Sequence, residues 1–555
     1  MTQFESLPNE LIYVIFKYLN ASDILNALSN LNSHFTALLT IYNDYKVDFR
    51  SVSKDLYDFV CSQLVPSHVQ MLYLSNKRNT YGQIQNFFNR FSLISFSSRL
   101  RSLSLKSCLE NESKEIIDHL HLLTKLTVLS FVANAGADFN TESRRRLVKA
   151  ISQLPLLRIC TIKLYSDELI FDDIPGLVFQ SLKYICLGIS SLDQLVYLCR
   201  CAPNLKRLIV DAIIDEPLNI DDCSSLANLT HLSIRTEATM EEFERLLSKA
   251  RSLVSLSLVC SNFQCHDGNR WQQILSKLHL STLRFLFFTD PSPAINSIID
   301  PFREKFWLEH GWHIRYEQQK TNGYNNLYTI PYPDLSFLLD LTDNFTVAST
   351  TTVDAMKIFE PVSELVYISC ETEVPSSKSY FFPQIRTLVL KTDTLPPSSI
   401  VSFKHITELR LYTALTQYMF NEVSMPVLTR LVLQVLPATW TVPCFNGRIQ
   451  HLKLRTAIGL TEDEVEAMCA STSFATNCKH VSLPIQSKQS VRLLLNRLSC
   501  LGSVDFLFYG KVSLADLAIT ENWIRNETNL RNFLLTIDTQ KERLTLWIGR
   551  SNVVV

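Results

Sequence analysis

Glycine is scarce in this chain, only 12 of 555 residues. No GxGxxG, GxxxxGKS, GxxxxGKT or GxSxG occurs, so the common phosphate cradles and the nucleophile elbow lack the residues that let a backbone turn tightly against a ligand. Ordered cysteine spacing is missing as well. The 14 cysteines form no CxxC pair and no framework, which argues against a zinc module and a disulfide scaffold. An excess of one charge is also absent: 53 basic residues meet 54 acidic ones, a formal net charge of -1. Such a balance advertises neither nucleic acid nor an anionic membrane.

Long apolar runs are missing too. The opening stretch from Leu11 to Leu19 has Lys17 inside it and falls far short of the roughly 20 residues that cross a bilayer. The N-terminus has neither a basic n-region nor a long h-region. These features lead us to expect a reduced intracellular protein without a membrane span, in the cytoplasm with the nucleus left open. The sequon Asn228-Leu229-Thr230 is then a chance match.

What the chain has in abundance is one phrase, apolar-x-x-apolar-x-apolar. It reads VQMLYL from Val69, LRSLSL from Leu100, LTVLSF from Leu126, LRICTI from Leu157, LKYICL from Leu182, LKRLIV from Leu205, LTHLSI from Leu229, LVSLSL from Leu253 and LRFLFF from Leu283. Successive starts lie 23 to 31 residues apart, close to the period of leucine-rich repeats. After a lapse of some eighty residues it resumes from Val362, Ile385, Ile406, Leu428, Ile449, Cys478 and Leu501.

The phrase describes a short strand with alternate residues inward and an apolar anchor three residues earlier. Between strands the period turns helical: Thr239 to Ala250 places Phe243, Leu246, Leu247 and Ala250 on one stripe. Thr239 with Glu242, Ser191 with Gln194 and Thr461 with Glu464 predict helix starts. A single strand-helix unit cannot bury its own apolar face, whereas stacked units can. The expected fold class is α/β, a leucine-rich-repeat solenoid with parallel strands on the concave face and helices outside.

The lapse has its own pattern. Alternating runs flank Asn322-Gly323 behind KFWLEHG from Lys305, and FLLTIDTQKERLTLWI from Phe533 follows ENWIRNE from Glu521. Both read as helix then hairpin. The chain is therefore expected to form two tandem arrays, 46–330 and 331–555, each closed by a helix-hairpin cap. Trp307, Trp312, Trp523 and Trp547 would pack those caps.

The stretch from Leu7 to Leu39 stands outside the repeat. Pro8 suits a first helical position, and Ser22 or Asp23 an N-cap. Leu7-Pro8, Glu10-Leu11, Ile15-Phe16, Leu19, Asp23 and Phe35 resemble the F-box, with Asn32 where cysteine is common and Phe35 where tryptophan is commoner. The resemblance, carried by Leu7 to Leu39, assigns residues 1–45 to an F-box, and F-box followed by leucine-rich repeats is a known combination.

It implies a non-catalytic substrate receptor of an SCF-type cullin-RING ubiquitin ligase. The F-box would dock a Skp-family adaptor, and through it the cullin scaffold, while the repeats capture a protein substrate. Leu7, Pro8, Leu11, Ile15, Leu19, Leu25, Leu31 and Phe35 would supply adaptor-facing or motif-core positions. The rival expectation is a repeat scaffold whose N-terminal helices merely cap the first strand. A cap would pack Leu11, Ile15 and Leu19 onto 69–74; a docking module would leave them exposed beyond a tether through 40–60.

No catalytic residue, cofactor or metal is expected. Cys260, Cys265 and His266 lack a fourth ligand, His119 and His121 point to different sides of a helix, and Arg144–Arg146 reads as a solvated face. Val553–Val555 reads as a frayed tail.

Overall fold

The recurring phrase becomes strand wherever it occurs. The computed structural model describes residues 4–549 apart from 78, 135–136, 166–167, 172–173, 175, 215–223, 263–264, 290–293, 320–324, 342–344, 352–354, 370–379, 414–423, 437–448, 472–473, 475, 509–513 and 540. The chain divides into two compact units, Met1–Leu256 with Lys277–Leu280, and Ser257–Ser276 with Ser281–Val555.

The first unit opens with three helices, α1 (Asn9–Phe16), α2 (Ala21–Leu28) and α3 (Ser33–Ile41). Eight parallel strands follow in chain order: β1 (Tyr45–Asp48), β2 (Val69–Ser75), β3 (Ser102–Cys108), β4 (Val128–Ala133), β5 (Ile159–Lys163), β6 (Tyr184–Ser191), β7 (Arg207–Ile214) and β8 (His231–Thr236). Leu72, Leu103, Leu129, Cys160, Ile185, Leu208 and Leu232 stand in one register and are all buried. The anchors Val69, Leu100, Leu126, Leu157, Leu182, Leu205 and Leu229 are buried with them. Each such side chain contributes roughly 1.5–3 kcal/mol by leaving water. A ninth strand, β9 (Ser255–Cys260), begins in this unit and ends in the other.

In the second unit the parallel pattern stops at β10 (Thr282–Thr289). It pairs antiparallel with β12 (Asn325–Ile330), which forms a hairpin with β11 (His313–Gln319). A ten-stranded sheet then begins at β13 (Ser336–Asp340), while β14 (Phe345–Ser349) returns to β11. β15 (Glu364–Ile368), β16 (Thr387–Leu390), β17 (Glu408–Leu411), β18 (Arg430–Leu433), β19 (His451–Leu454), β20 (His480–Ile485) and β21 (Ser503–Phe508) continue it in parallel. β21 pairs antiparallel with β23 (Arg543–Ile548), the partner of β22 (Phe533–Asp538).

Both hairpins thus use the same device, in which the last parallel strand meets the second hairpin strand. The turn at Asn322-Gly323 lies outside the described residues, as does Val553–Val555. Trp307 is fully buried against Phe302, ring centroids 4.7 Å apart, and Trp547 is buried in β23.

Four local expectations need correction. The lapse in the repeat is shorter than expected, because β13 is a repeat strand. Pro8 sits at the N-cap of α1 rather than its first turn, with its carbonyl accepting from the amides of Leu11 and Ile12. Asn20, not Ser22 or Asp23, is the N-cap residue of α2, and its side chain does not cap. The capping boxes at Thr239–Glu242 and Thr461–Glu464 are complete, but Gln194 turns its side-chain oxygen to the Phe171 amide at 2.6 Å, leaving Ser191 to cap alone.

Candidate protein-interaction surfaces

The N-terminal helices divide their apolar residues between two sides. Ile12 and Phe16 of α1, Ile24, Leu25 and Leu28 of α2, and Phe35 and Leu38 of α3 are buried. Asn32 caps α3 by accepting from the Phe35 amide at 3.0 Å and donates to Glu5 at 2.6 Å. Tyr42 bridges the module to the sheet: its ring stacks on Tyr13 at 5.8 Å and meets Phe16 and Tyr45 edge-on at 5.2 and 4.9 Å. The Tyr45 hydroxyl donates to the Leu39 carbonyl at 3.0 Å. Burial, and then Asp44 nearby, push the Tyr42 phenol up to about 12.

The module seats on the outer edge of β1, and this replaces the expected tether: residues 45–48 are strand and α4 (Lys54–Gln63) follows at once. The Asn20 side chain binds both backbone groups of Asp48, and Lys46 of β1 donates its Nζ to the Lys17 carbonyl at the end of α1.

On the other side of α1, Leu11 and Val14 are 51% and 46% exposed, and Tyr18, Leu19 and Leu31 also reach solvent. Positions 11, 14, 15 and 18 share one helical stripe. Of the residues the resemblance singles out, Leu25 and Phe35 are core; Pro8, Leu11, Leu19 and Leu31 are exposed, with Leu7 and Ile15 half-buried. The sequence did not single out Val14 and Tyr18, although their helical spacing from Leu11 was the available signal.

A second surface lies on the sheet face of β15 to β20, where side chains at alternate positions turn away from the core. Glu364, Thr387, Glu408, Arg430, His451 and His480 share one register, and Val366, Val389, Arg410, Val432, Lys453 and Ser482 the next. Glu408 accepts from Arg410 Nε at 2.7 Å and Arg430 Nη1 at 2.9 Å, and Arg410 Nη1 also lies 3.3 Å from Glu364. Burial works against the Glu408 charge, but the hydrogen bonds from Arg410 and Arg430 outweigh it and hold its carboxyl below the ordinary value.

His451 and His480 stack with ring centroids 4.4 Å apart, and His480 Nδ1 lies 2.7 Å from Ser503 Oγ. Burial first, then His451, Lys479 and Arg430, press the His480 imidazole down to about 3. It is therefore neutral at physiological pH. One position further on, Lys391, Tyr412, Gln434 and Arg455 each follow their strand and extend the same ladder, their amides donating to Tyr367, Leu390, Leu411 and Leu433 at 2.8–3.1 Å.

Among the described residues no group of three or more His, Cys, Asp or Glu comes together to hold a metal ion. Cys260 and Cys265 are buried thiols with sulfurs 3.5 Å apart. Among the described residues no helix is long and apolar enough to cross a membrane.

Short parallel strands paired in chain order, each turning a row of apolar residues into the core, define an α/β protein built from repeated strand units. No protein-family model matches the chain, and no curated protein matches it. Among solved structures it is similar to the chain in the crystal structure of the TLR13–ssRNA13 complex, with 14% identity and a TM-score of 0.27, over 83% of this chain and 65% of that one. It is also similar to the chain in the Toll–Spatzle complex from Drosophila, with 10% identity and a TM-score of 0.21, over 84% and 48%. The chain thus spans 65% and 48% of the length of those two, and its fold assignment stands on the strand register above.

Proposed function

We propose that the chain is the non-catalytic substrate-recognition subunit of an SCF-type ubiquitin ligase, working in the cytoplasm or nucleus. Its N-terminal helices bind a Skp-family adaptor carried on a cullin scaffold, and its repeats bind a protein marked for degradation. The observation that carries this reading is the stripe of Leu11, Val14, Tyr18 and Leu19 with Leu31, left in solvent on helices whose other side is already buried. An exposed apolar stripe on an otherwise satisfied module calls for a partner. Burying three or four such side chains, at roughly 1.5–3 kcal/mol for each one fully covered, offsets much of the cost of association.

A plain repeat scaffold is the second reading, favoured by the hydrogen bonds of Asn20 to the edge of β1. Capping, however, uses the inner side of the module and leaves the outer stripe without a role. The deciding experiment is co-purification with a Skp-family adaptor, comparing the natural chain with a Leu11→Asp/Leu31→Asp variant. Capture by the natural chain and loss in the variant support the receptor; no capture by either leaves the scaffold.

A further inference from the structure

We propose that the face of β15 to β19 is a binding site for an extended acidic peptide. This rests on the reading of the repeats as the target-binding part and is independent of adaptor docking. These strands and the residues just after them carry five cationic side chains, Lys391, Arg410, Arg430, Lys453 and Arg455, against two carboxylates, Glu364 and Glu408. Both carboxylates are already in ion pairs with Arg410 or Arg430. The face is left with a surplus of positive charge, in a chain whose formal net charge is -1. That surplus is a property of this face and not of the whole molecule, and clustered like charge raises the local concentration of an oppositely charged ligand.

The spacing favours an extended chain. Lys453 and Arg455 sit two residues apart on one strand, about 7 Å, which is also the separation of alternate side chains in an extended peptide. Lys391 and Arg455 occupy the same rung three strands apart, about 14 Å at the usual strand spacing. Between them Tyr412 is 43% exposed, with the Lys391 ammonium 6.0 Å from its ring. An extended peptide laid across the strands could therefore meet Arg455 and Lys391 with acidic side chains about four residues apart, Lys453 lying beside that path, and Arg455 offering a planar fork to a carboxylate.

The neighbouring His480 is held neutral in part by Lys479 and Arg430, as expected beside a positive field. A single-stranded nucleic acid would want a row of stacking platforms. Tyr412 is the one exposed Tyr, Phe or Trp on these strands among the described residues, so peptide is the better fit.

The test uses the full chain and fluorescein-labelled dodeca-glutamate, read by fluorescence anisotropy at about 0.15 M salt, where surface charges more than about 8 Å apart are screened. Lys453→Glu/Arg455→Glu is expected to weaken binding about tenfold or more, equivalent to 1.4 kcal/mol per decade, and to leave adaptor capture unchanged. Arg455→Ala, at an exposed position, gives a smaller loss in the same direction and guards against misfolding of the double variant. Lys149→Glu, on the exposed side of the helix Thr141–Ser152, is expected to bind normally. Absence of dodeca-glutamate binding, an equal loss in Lys149→Glu, or tighter binding of an oligouridylate of the same length would each overturn the proposal. Peptide binding without adaptor capture would sustain it and strike only the ligase reading.

Discussion

Asn20 holds Asp48 by both backbone groups: its Nδ2 donates to the Asp48 carbonyl at 3.1 Å and its Oδ1 accepts from the Asp48 amide at 2.9 Å. Asp48 lies on β1, the first strand of the parallel run, whose outer edge would otherwise present open donors and acceptors to any passing strand. The N-terminal module therefore closes the sheet with one side and keeps its apolar stripe on the other. Capping the sheet thus leaves the stripe open for the docking proposed above.

Replacing Asn20 by Ala should accordingly cost about 1–3 kcal/mol, because two half-buried backbone groups lose their partners at once. The measurement is the thermal midpoint together with amide exchange at Asp48. An unchanged exchange rate there would show that the edge is protected by something else.

The division between core and stripe gives a contrasting pair. Leu25→Ala, at a buried site, should destabilise by about 2–5 kcal/mol. Leu11→Ala, half in solvent, should stay near the roughly 0.5 kcal/mol typical of surface substitutions, yet reduce adaptor capture. Should Leu11→Ala melt as early as Leu25→Ala, the stripe would belong to the fold and not to a partner.

A third expectation concerns the charged group buried in the second unit. Arg315 and Glu317 are 4% and 2% exposed; Arg315 Nε donates to the Glu317 carboxylate at 2.9 Å, and the Tyr328 hydroxyl donates to the same carboxylate at 2.6 Å. The Arg315 guanidinium also lies 5.0 Å from the Tyr380 ring. Glu317→Ala leaves a buried cation without its carboxylate and should cost about 3–5 kcal/mol. An Arg315→Met/Glu317→Leu double variant should recover most of that loss, a difference that denaturant titration resolves.

The repeat strands were legible because the phrase names both their inward residues and their anchor, and β2–β10 and β15–β21 all stand where it placed them. The two strands it missed, β1 and β13, fail at the same point. Val47 and Phe337 are their inward residues in register with Leu72 and Leu365 of the next strand. The anchor position three residues earlier is Asp44 in one and Asp334 in the other. Each strand starts its run, so the anchor faces an end rather than a preceding repeat, and a polar residue is tolerated. Asp44 lies 3.7 Å from Arg99, and Asp334 accepts from the Leu335 amide at 2.6 Å. The apolar excess of α1 was visible in sequence, but Leu11 beside Ile12 and Ile15 beside Phe16 cannot be assigned to stripe or core until β1 supplies a surface. The cationic rungs were hidden for a different reason. Lys391 and Arg455 are far apart in the chain and come onto one face only through strand register.

His480 makes the stability of the second unit sensitive to acid. Its imidazole falls from an ordinary 6.5 to about 3 in the folded chain, through burial first and then His451, Lys479 and Arg430. The unfolded chain therefore binds the proton first as pH drops. The contribution of the neutral ring is present above 6.5 and is lost progressively as pH falls from there toward 3. Between pH 7 and pH 5 the loss is roughly 2 kcal/mol, in a window that most carboxylates do not enter. His480→Gln, which can still hydrogen-bond Ser503, should flatten the dependence of the unfolding midpoint over that interval while lowering stability little at pH 7. Because Lys479 and Arg430 contribute to the depression, Lys479→Ala should retain the acid sensitivity but soften it. Equal slopes for the natural chain and His480→Gln would assign the acid response to other groups.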